Sequence, residues 1–307
     1  MNIFNLTTRP DTSWFFKSHD PNDKRLGDIV TWLEIDYSRS KIVLLGCPQD
    51  EGVKRNHGRT GAAEAPIHIR KCLYKFPVPP GVKYRDLFDA GNTTIGKTLE
   101  KTHETHTKLV SQILGDGKKL IVLGGGNDIS YPDCTGMAMN YKKLLAFNID
   151  SHLDVRKNNV RNSGTPYRQL LEEKKIEAKM FFELAVQPFA NSEIYLSYLQ
   201  KKKVKIVTLD QFREKGIQKT LRAILKSNKM KAIFWGIDMD SVRSSDAPGV
   251  SASYPTGLTA EELLSIARIA GKDKRSRIFE ISEVNPKYDI DSRTCKLAAL
   301  AITEFLR

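Results

Sequence analysis

The chain has 307 residues, 40% hydrophobic and 28% charged, with a formal net charge of +13. That length and apolar content suffice for one continuous core. No apolar run approaches the ~20 residues that cross a bilayer, and Met1–Lys17 lacks a basic patch followed by an apolar stretch, so neither a membrane protein nor a secreted one is expected and the cytoplasm is the expected compartment.

The positive charge raises a nucleic-acid role, but the basic residues are spread along the chain. The densest run, Lys201-Lys202-Lys203, reads as a solvated turn before a strand. No nucleic-acid partner is expected, and a basic surface instead suits collection of an anionic small substrate. Cys47, Cys72, Cys134 and Cys295 lie far apart with no Cys-x-x-Cys pair, which reads as free thiols in a reducing compartment.

In chain order, residues 1–40 are irregular and read as an N-terminal arm or lid. Residues 41–307 read as one catalytic domain. Strands are predicted over Lys41–Gly46, Lys119–Leu123, Leu144–Ile149, Val204–Leu209, Ala232–Ile237 and Ile278–Ser282, each apolar over most of its length, as in strands buried on both faces. Helices are predicted over Thr98–Leu114, Pro166–Lys175, Asp210–Ser227, Thr259–Ala270 and Arg293–Phe305. Thr259-Ala260-Glu261-Glu262 supplies an N-cap and first-turn acids. His103 and His106 fall on a polar stretch and read as surface residues, while Trp235 reads as core. Gln187 and Asn191 read equally well as pocket lining or as turn formers. The alternation implies a single-domain, three-layer α/β/α fold with a mostly parallel central sheet.

Ligands of such sheets bind beyond the carboxyl ends of the strands. Asp150-Ser151-His152-Leu153-Asp154 follows one predicted strand, and a period of two puts its three polar groups on one side if the segment is extended. Asp238-Met239-Asp240 follows another, and Gly124-Gly125-Gly126-Asn127-Asp128 a third. One such cluster is weak; three, each after an apolar strand, are much stronger. Several buried carboxylates would hold one another's pKa up unless cations neutralised them, and carboxylates with an imidazole suit Mn2+.

These segments resemble the metal motifs of the arginase (ureohydrolase) family, and the resemblance runs from about Lys41 to Phe305. Asp246–Ser251 and Glu283-Val284-Asn285-Pro286 match the family broadly. Glu51–Arg59, Asn162–Arg168 and Lys287–Thr294 resemble formiminoglutamases in particular. The resemblance implies an arginase-like fold and two Mn2+ ions per chain. Asp150 and Asp238 would bridge them, His152 and Asp240 would complete one site, and Asp154 and residue 127 the other. The family has histidine where this chain has Asn127. An amide oxygen can ligate, but the site should weaken by roughly one or two powers of ten.

The implied reaction is hydrolysis of N-formimino-L-glutamate to L-glutamate and formamide by a hydroxide held between the two ions. Arginases carry a histidine shortly after the Ser-Gly that matches Ser163-Gly164; here Tyr167 and Arg168 stand nearby, so Asp154 is the expected proton carrier. Glu283 would orient the cationic imino group. Arg55, Asn56, Arg168 and Arg243, in or beside matched loops, are the expected substrate contacts, with Arg168 favoured; a pairing of Arg243 with Asp246 is an equal alternative. His57 reads mainly as structural. An arginase-like guanidino hydrolase is one alternative, and a non-catalytic ligand-binding protein, suggested by Asn127, is another. The family further implies a homo-oligomer, a trimer or a dimer of trimers.

Overall fold

The computed structural model describes residues 2–78 and 84–307, and in it the apolar runs join one nine-stranded sheet. The strands are β1 (Thr7–Thr8), β2 (Ile42–Gly46), β3 (Leu87–Thr93), β4 (Lys119–Leu123), β5 (Leu145–Ile149), β6 (Phe181–Val186), β7 (Lys205–Thr208), β8 (Ile233–Asp238) and β9 (Ser276–Ser282). Their order across the sheet is β1-β3-β2-β4-β9-β8-β5-β6-β7. Only β1 runs antiparallel to its neighbour; the other pairings are parallel.

Every residue of β5, β6 and β8 is buried. A strand covered on both faces needs apolar side chains pointing both ways, and successive residues supply them. Leu44, Ile121, Phe147, Trp235 and Phe279 enter one core, beneath helices Ala65–Leu73, Ala260–Lys272 and Arg293–Leu306. Their neighbours Val43, Val122, Ala146, Phe234 and Ile278 enter the other, beneath Leu99–Gly115 and Ser130–Asn140. The result is the expected three-layer α/β/α arrangement. Burial of each large side chain contributes about 1.5–3 kcal/mol, so the double core secures the sheet against rearrangement. Trp235 is fully buried, as expected, with its Nε1 donating to Ser276 Oγ at 2.9 Å.

The six predicted strands form, within a residue or two of their predicted ends. Three others were not foreseen. β3 reads Leu-Phe-Asp-Ala-Gly-Asn-Thr and β6 contains Glu183, so buried polar residues interrupt their apolar patterns; β1 has only two residues. The single helix predicted over Asp210–Ser227 is two, Leu209–Glu214 and Ile217–Ser227. Gly216 separates them at φ 79°, a left-handed conformation that glycine adopts without strain.

Residues of the N-terminal segment sit on this body: β1 extends the sheet edge, and Phe15, Leu26 and Val30 enter the first core. The four cysteines are unpaired. Among the described residues no helix is long and apolar enough to cross a membrane.

Four adjacent strands, β4, β9, β8 and β5, set up the chemistry. Asn127 follows β4, Glu283 follows β9, Asp238 ends β8, and Asp150 follows β5. Parallel pairing brings these ends to one side of the sheet.

Candidate metal centre

The floor of the site is a knot of acids. Single ligand atoms of Asp150, His152 and Asp240 lie within 4.8 Å of one another, as do those of Asp150, Asp154 and Asp238, so Asp150 belongs to both groups. His152 Nδ1 stands 3.4 Å from both Asp150 Oδ1 and Asp240 Oδ1. Local backbone bonds hold the turns: His152 N donates to Asp150 Oδ1 at 2.8 Å, and Asp240 N to Asp238 Oδ1 at 2.9 Å.

The glycine turn after β4 allows the close approach. A Cβ on Gly125 would stand 1.6 Å from the carbonyl oxygen of Gln49. Asn127 follows, with its backbone N donating to Glu283 Oε1 at 2.6 Å. Its amide nitrogen is 2.6 Å from Asp154 Oδ2 and 3.5 Å from Asp150 Oδ2. Asp154 at φ 45° and Glu283 at φ 61° both hold left-handed backbone, uncommon for residues with side chains and concentrated at functional sites.

The electrostatics show what the knot lacks. Burial, then Asp240, raises Asp150 to about 6. Burial, then neighbouring carboxylates, pushes Asp154, Asp238 and Glu283 well above the usual range. Burial pulls His152 down, but Asp240 and Asp150 outweigh it and raise its pKa. One imidazole cannot balance five carboxyls. Asp240 Oδ1 and Glu283 Oε2 are buried with no hydrogen-bond partner. Unpaired buried oxygens of this number are costly, and a divalent cation is what such a donor set accommodates.

Above the floor opens a cavity of about 390 Å3. Asn56, His57, Arg59, Arg156, Asn191 and Tyr254 form part of its wall, while Asp154, Asp238, Asp240, His152 and Glu283 line it below. Asn56 Nδ2 also donates to Ser163 Oγ at 3.0 Å. Asn191 lines the cavity while pinning its loop, accepting from Leu153 N at 3.0 Å. Gln187, the other residue left open, bonds Ser151 and Thr256 instead.

The three expected substrate arginines are elsewhere engaged, and none lines this cavity. Arg55 pairs with Glu100 at 2.6 Å and Glu51 at 3.2 Å; Arg168 pairs with Glu172 at 2.9 Å and lies over the Tyr198 ring; Arg243 pairs with Asp246 at 3.0 Å. The cavity's arginines are Arg59 and Arg156. Arg59 spends its guanidinium on the carbonyls of Val250 and Ser251 and on the Tyr288 ring. Arg156 is exposed, and among the described residues its guanidinium has no partner.

The histidines of the Leu99–Gly115 helix overturn the surface reading. His103 and His106 are buried; His103 Nε2 meets Asp128 Oδ2 at 2.7 Å, and His106 Nε2 meets Asp133 Oδ1 at 2.9 Å. Their helix turns Leu99, Thr102, His103, His106, Leu109, Val110 and Ile113 inward, a buried stripe in which three polar residues sit among apolar ones. Burial lowers His106 to about 3, so it stays neutral.

A sequence model of the arginase family matches residues 40–307. The chain belongs to the arginase family. It is a hydrolase of that family, homologous to formimidoylglutamases. Its relatives include the formimidoylglutamase of Staphylococcus carnosus (strain TM300), 33% identical over 86% of this chain and 85% of the relative. That of Bacillus subtilis (strain 168) is 32% identical over 95% of this chain and 93% of the relative. Among solved structures, Trypanosoma cruzi formiminoglutamase with Mn2+2 superposes with a TM-score of 0.87 at 33% identity, covering 92% of this chain and 97% of that one.

Proposed function

We propose that this arginase-family chain hydrolyses N-formimino-L-glutamate to L-glutamate and formamide, using two Mn2+ ions. The observation that carries the reading is one cavity joining a cation-seeking floor to an unpaired arginine on its wall. A substrate with a cationic formimino head and an anionic dicarboxylate tail matches that polarity. The similarity to named formimidoylglutamases supports the same choice.

Asp150, His152, Asp154, Asp238, Asp240 and Asn127 would hold the ions. When bound, the ions supply Lewis-acid activation of a water. The chain's own groups do the rest. Glu283 Oε1 is held by Asn127 N, leaving Oε2 free to orient the formimino cation. Water adds to the formimino carbon, and Asp154 takes the proton released. The bond from that carbon to the glutamate nitrogen then breaks. Asp154 returns the proton to the departing nitrogen, and the hydroxyl proton follows it there as the carbonyl forms, so glutamate leaves as the ammonium with one nitrogen and formamide keeps the other.

Tyr167 and Arg168 do not compete for the proton role, since Tyr167 is buried against Ser130 and Arg168 is paired with Glu172. Arg156 replaces Arg55, Arg168 and Arg243 as the partner for a substrate carboxylate. A planar guanidinium grips a carboxylate bidentately.

The test is product analysis with the Mn2+-supplied protein. Formamide released from formiminoglutamate, with no urea from arginine, is expected. Urea from arginine would move the reading to a guanidino hydrolase. Neither product, with Mn2+ bound, would leave a binding protein.

A further inference from the structure

Behind the metal floor lies a hydrogen-bond conflict centred on Asn127. Its Oδ1 is 2.9 Å from Ser282 Oγ and 3.1 Å from Ser130 Oγ, while its nitrogen faces Asp154. Ser130 Oγ has two further neighbours, Glu280 Oε1 at 2.6 Å and the Tyr167 hydroxyl at 3.1 Å. All five residues other than the cavity-facing Asp154 are buried, with Ser130, Tyr167, Glu280 and Ser282 fully so.

Proton counting decides how these bonds run. A serine hydroxyl has one proton to give and two lone pairs to receive. Glu280 Oε1 is the nearest acceptor and takes that proton. Burial, then Asp133, pushes the Glu280 carboxyl well up, and Oε2 is buried with no hydrogen-bond donor facing it, so the proton sits there and leaves Oε1 an acceptor. Tyr167 keeps its hydrogen, because burial and then Glu280 push its phenol up; Ser130 is its hydrogen-bond partner among the described residues, so Tyr167 donates. Ser130 then has only a lone pair left for Asn127. It asks for the NH2 end of the amide and is offered the oxygen.

On the opposite side, carboxyl oxygens of Asp154 and Asp150 stand 2.6 and 3.5 Å from the amide nitrogen and take the NH2 end as well. The two ends of an amide have nearly the same shape, so hydrogen bonds choose between them. Without a cation the carboxylates win. With the carboxylates neutralised by a cation, the hydroxyl side decides, and Ser282 can accept as well as donate.

We infer that Glu280, acting through Ser130, is a positioning residue that turns the Asn127 amide oxygen toward the metal site when cations are bound. Histidine at this place would need no such choice; asparagine does. The inference rests on the metal-binding part of the function proposed above, not on the substrate.

The test compares Mn2+ affinity and stoichiometry, by chelator competition, in otherwise intact protein. Ser130→Ala and Glu280→Met should each loosen the weaker Mn2+ by about tenfold, the usual scale for partners behind a ligand. Glu280→Gln keeps an acceptor for Ser130 and can donate to Asp133, so it should retain near-wild-type affinity. In the Asn127→His background, the same Ser130→Ala change should alter affinity less than about twofold by this logic. Thermal melting of each variant reports folding, and Ser130→Ala, a small change, carries the test if Glu280→Met does not fold. Equal loosening in both backgrounds, or none in either, overturns the inference. Tight Mn2+ binding without formamide release would sink the substrate reading and leave this one standing; no Mn2+ binding by the wild-type protein would overturn both.

Discussion

Two buried charge clusters in this molecule are built on opposite plans. Around Arg70, the helix Ala65–Leu73 and β3 close every account: Nε and Nη2 grip Asp89 at 2.8 and 3.0 Å, Nη1 reaches Asn92 and Pro66, and Nη2 also reaches the Gly91 carbonyl. Those five bonds use all five donors of a guanidinium, and Tyr74 adds another bond to Asp89. Around Asp150 the chain leaves carboxyl oxygens unpaired and pKa values raised. The difference is not depth, since Arg70, Asp89 and Asp150 are all fully buried. It is whether the chain itself provides the counter-charge. One cluster serves the fold, and the other is a candidate metal site.

Breaking the first cluster should produce the largest effect. Arg70→Ala leaves Asp89 buried without its cation, and such losses cost about 3–5 kcal/mol. Urea unfolding should show that loss with and without Mn2+ alike. A loss that Mn2+ repairs would mean that the two clusters are not independent.

The second cluster should reveal itself through pH in chelator-treated protein. The folded pKa of Asp150 is raised from 3.8 to about 6, so the native state holds its proton over a range where the unfolded chain has lost it. Stability from this group is therefore full below about pH 4 and falls as pH rises toward 6, by roughly 3 kcal/mol at about 1.4 kcal/mol per pKa unit. Mn2+ should abolish or reverse that slope, because protons then compete with a bound metal. A metal-free protein that gains stability from pH 4 to 6 would contradict the account of an uncompensated cluster.

The same contrast explains what could be read in the sequence. Asp150, His152, Asp154, Asp238 and Asp240 were legible because each follows an apolar strand, and a parallel sheet puts such strand ends together. The arginines that line the cavity were not, because nearness to a recognised loop does not aim a guanidinium. A signal did exist: Arg55, Arg168 and Arg243 each have an acid three or four residues away, in Glu51, Glu172 and Asp246, and each pairs with it. Arg59 and Arg156 have no acid at that spacing. His103 and His106 were misplaced for a related reason. Their partners Asp128 and Asp133 lie 25 and 27 residues away, beyond any local pattern.

Arg156 gives the next effect in size. If its guanidinium binds a substrate carboxylate, Arg156→Ala should raise KM for formiminoglutamate about 10- to 100-fold, on the scale of one charge-assisted bond. kcat should change little, since the tail is bound equally before and during reaction. A fall in kcat at constant KM would instead place Arg156 at the reacting end.

Gly164 offers a finer probe of the same residue. The Arg156 backbone N donates to the Gly164 carbonyl at 2.8 Å, so the two loops are already tied. A Cβ on Gly164 would stand 2.6 Å from Arg156 Cδ and 2.8 Å from its Nε. Gly164 carries no positive φ, so alanine should not strain the backbone. The clash falls on a flexible side chain, which can swing aside. Gly164→Ala should therefore displace the guanidinium without unfolding the loop, raising KM by a few-fold, about 1 kcal/mol or less, with the melting temperature nearly unchanged. In the Arg156→Ala background the substitution should raise KM less, because the two closest atoms are gone and only Asn56 Nδ2, 3.1 Å from the added Cβ, still meets it. An equal rise in both backgrounds would mean that the loop itself, rather than the arginine it carries, shapes the cavity wall.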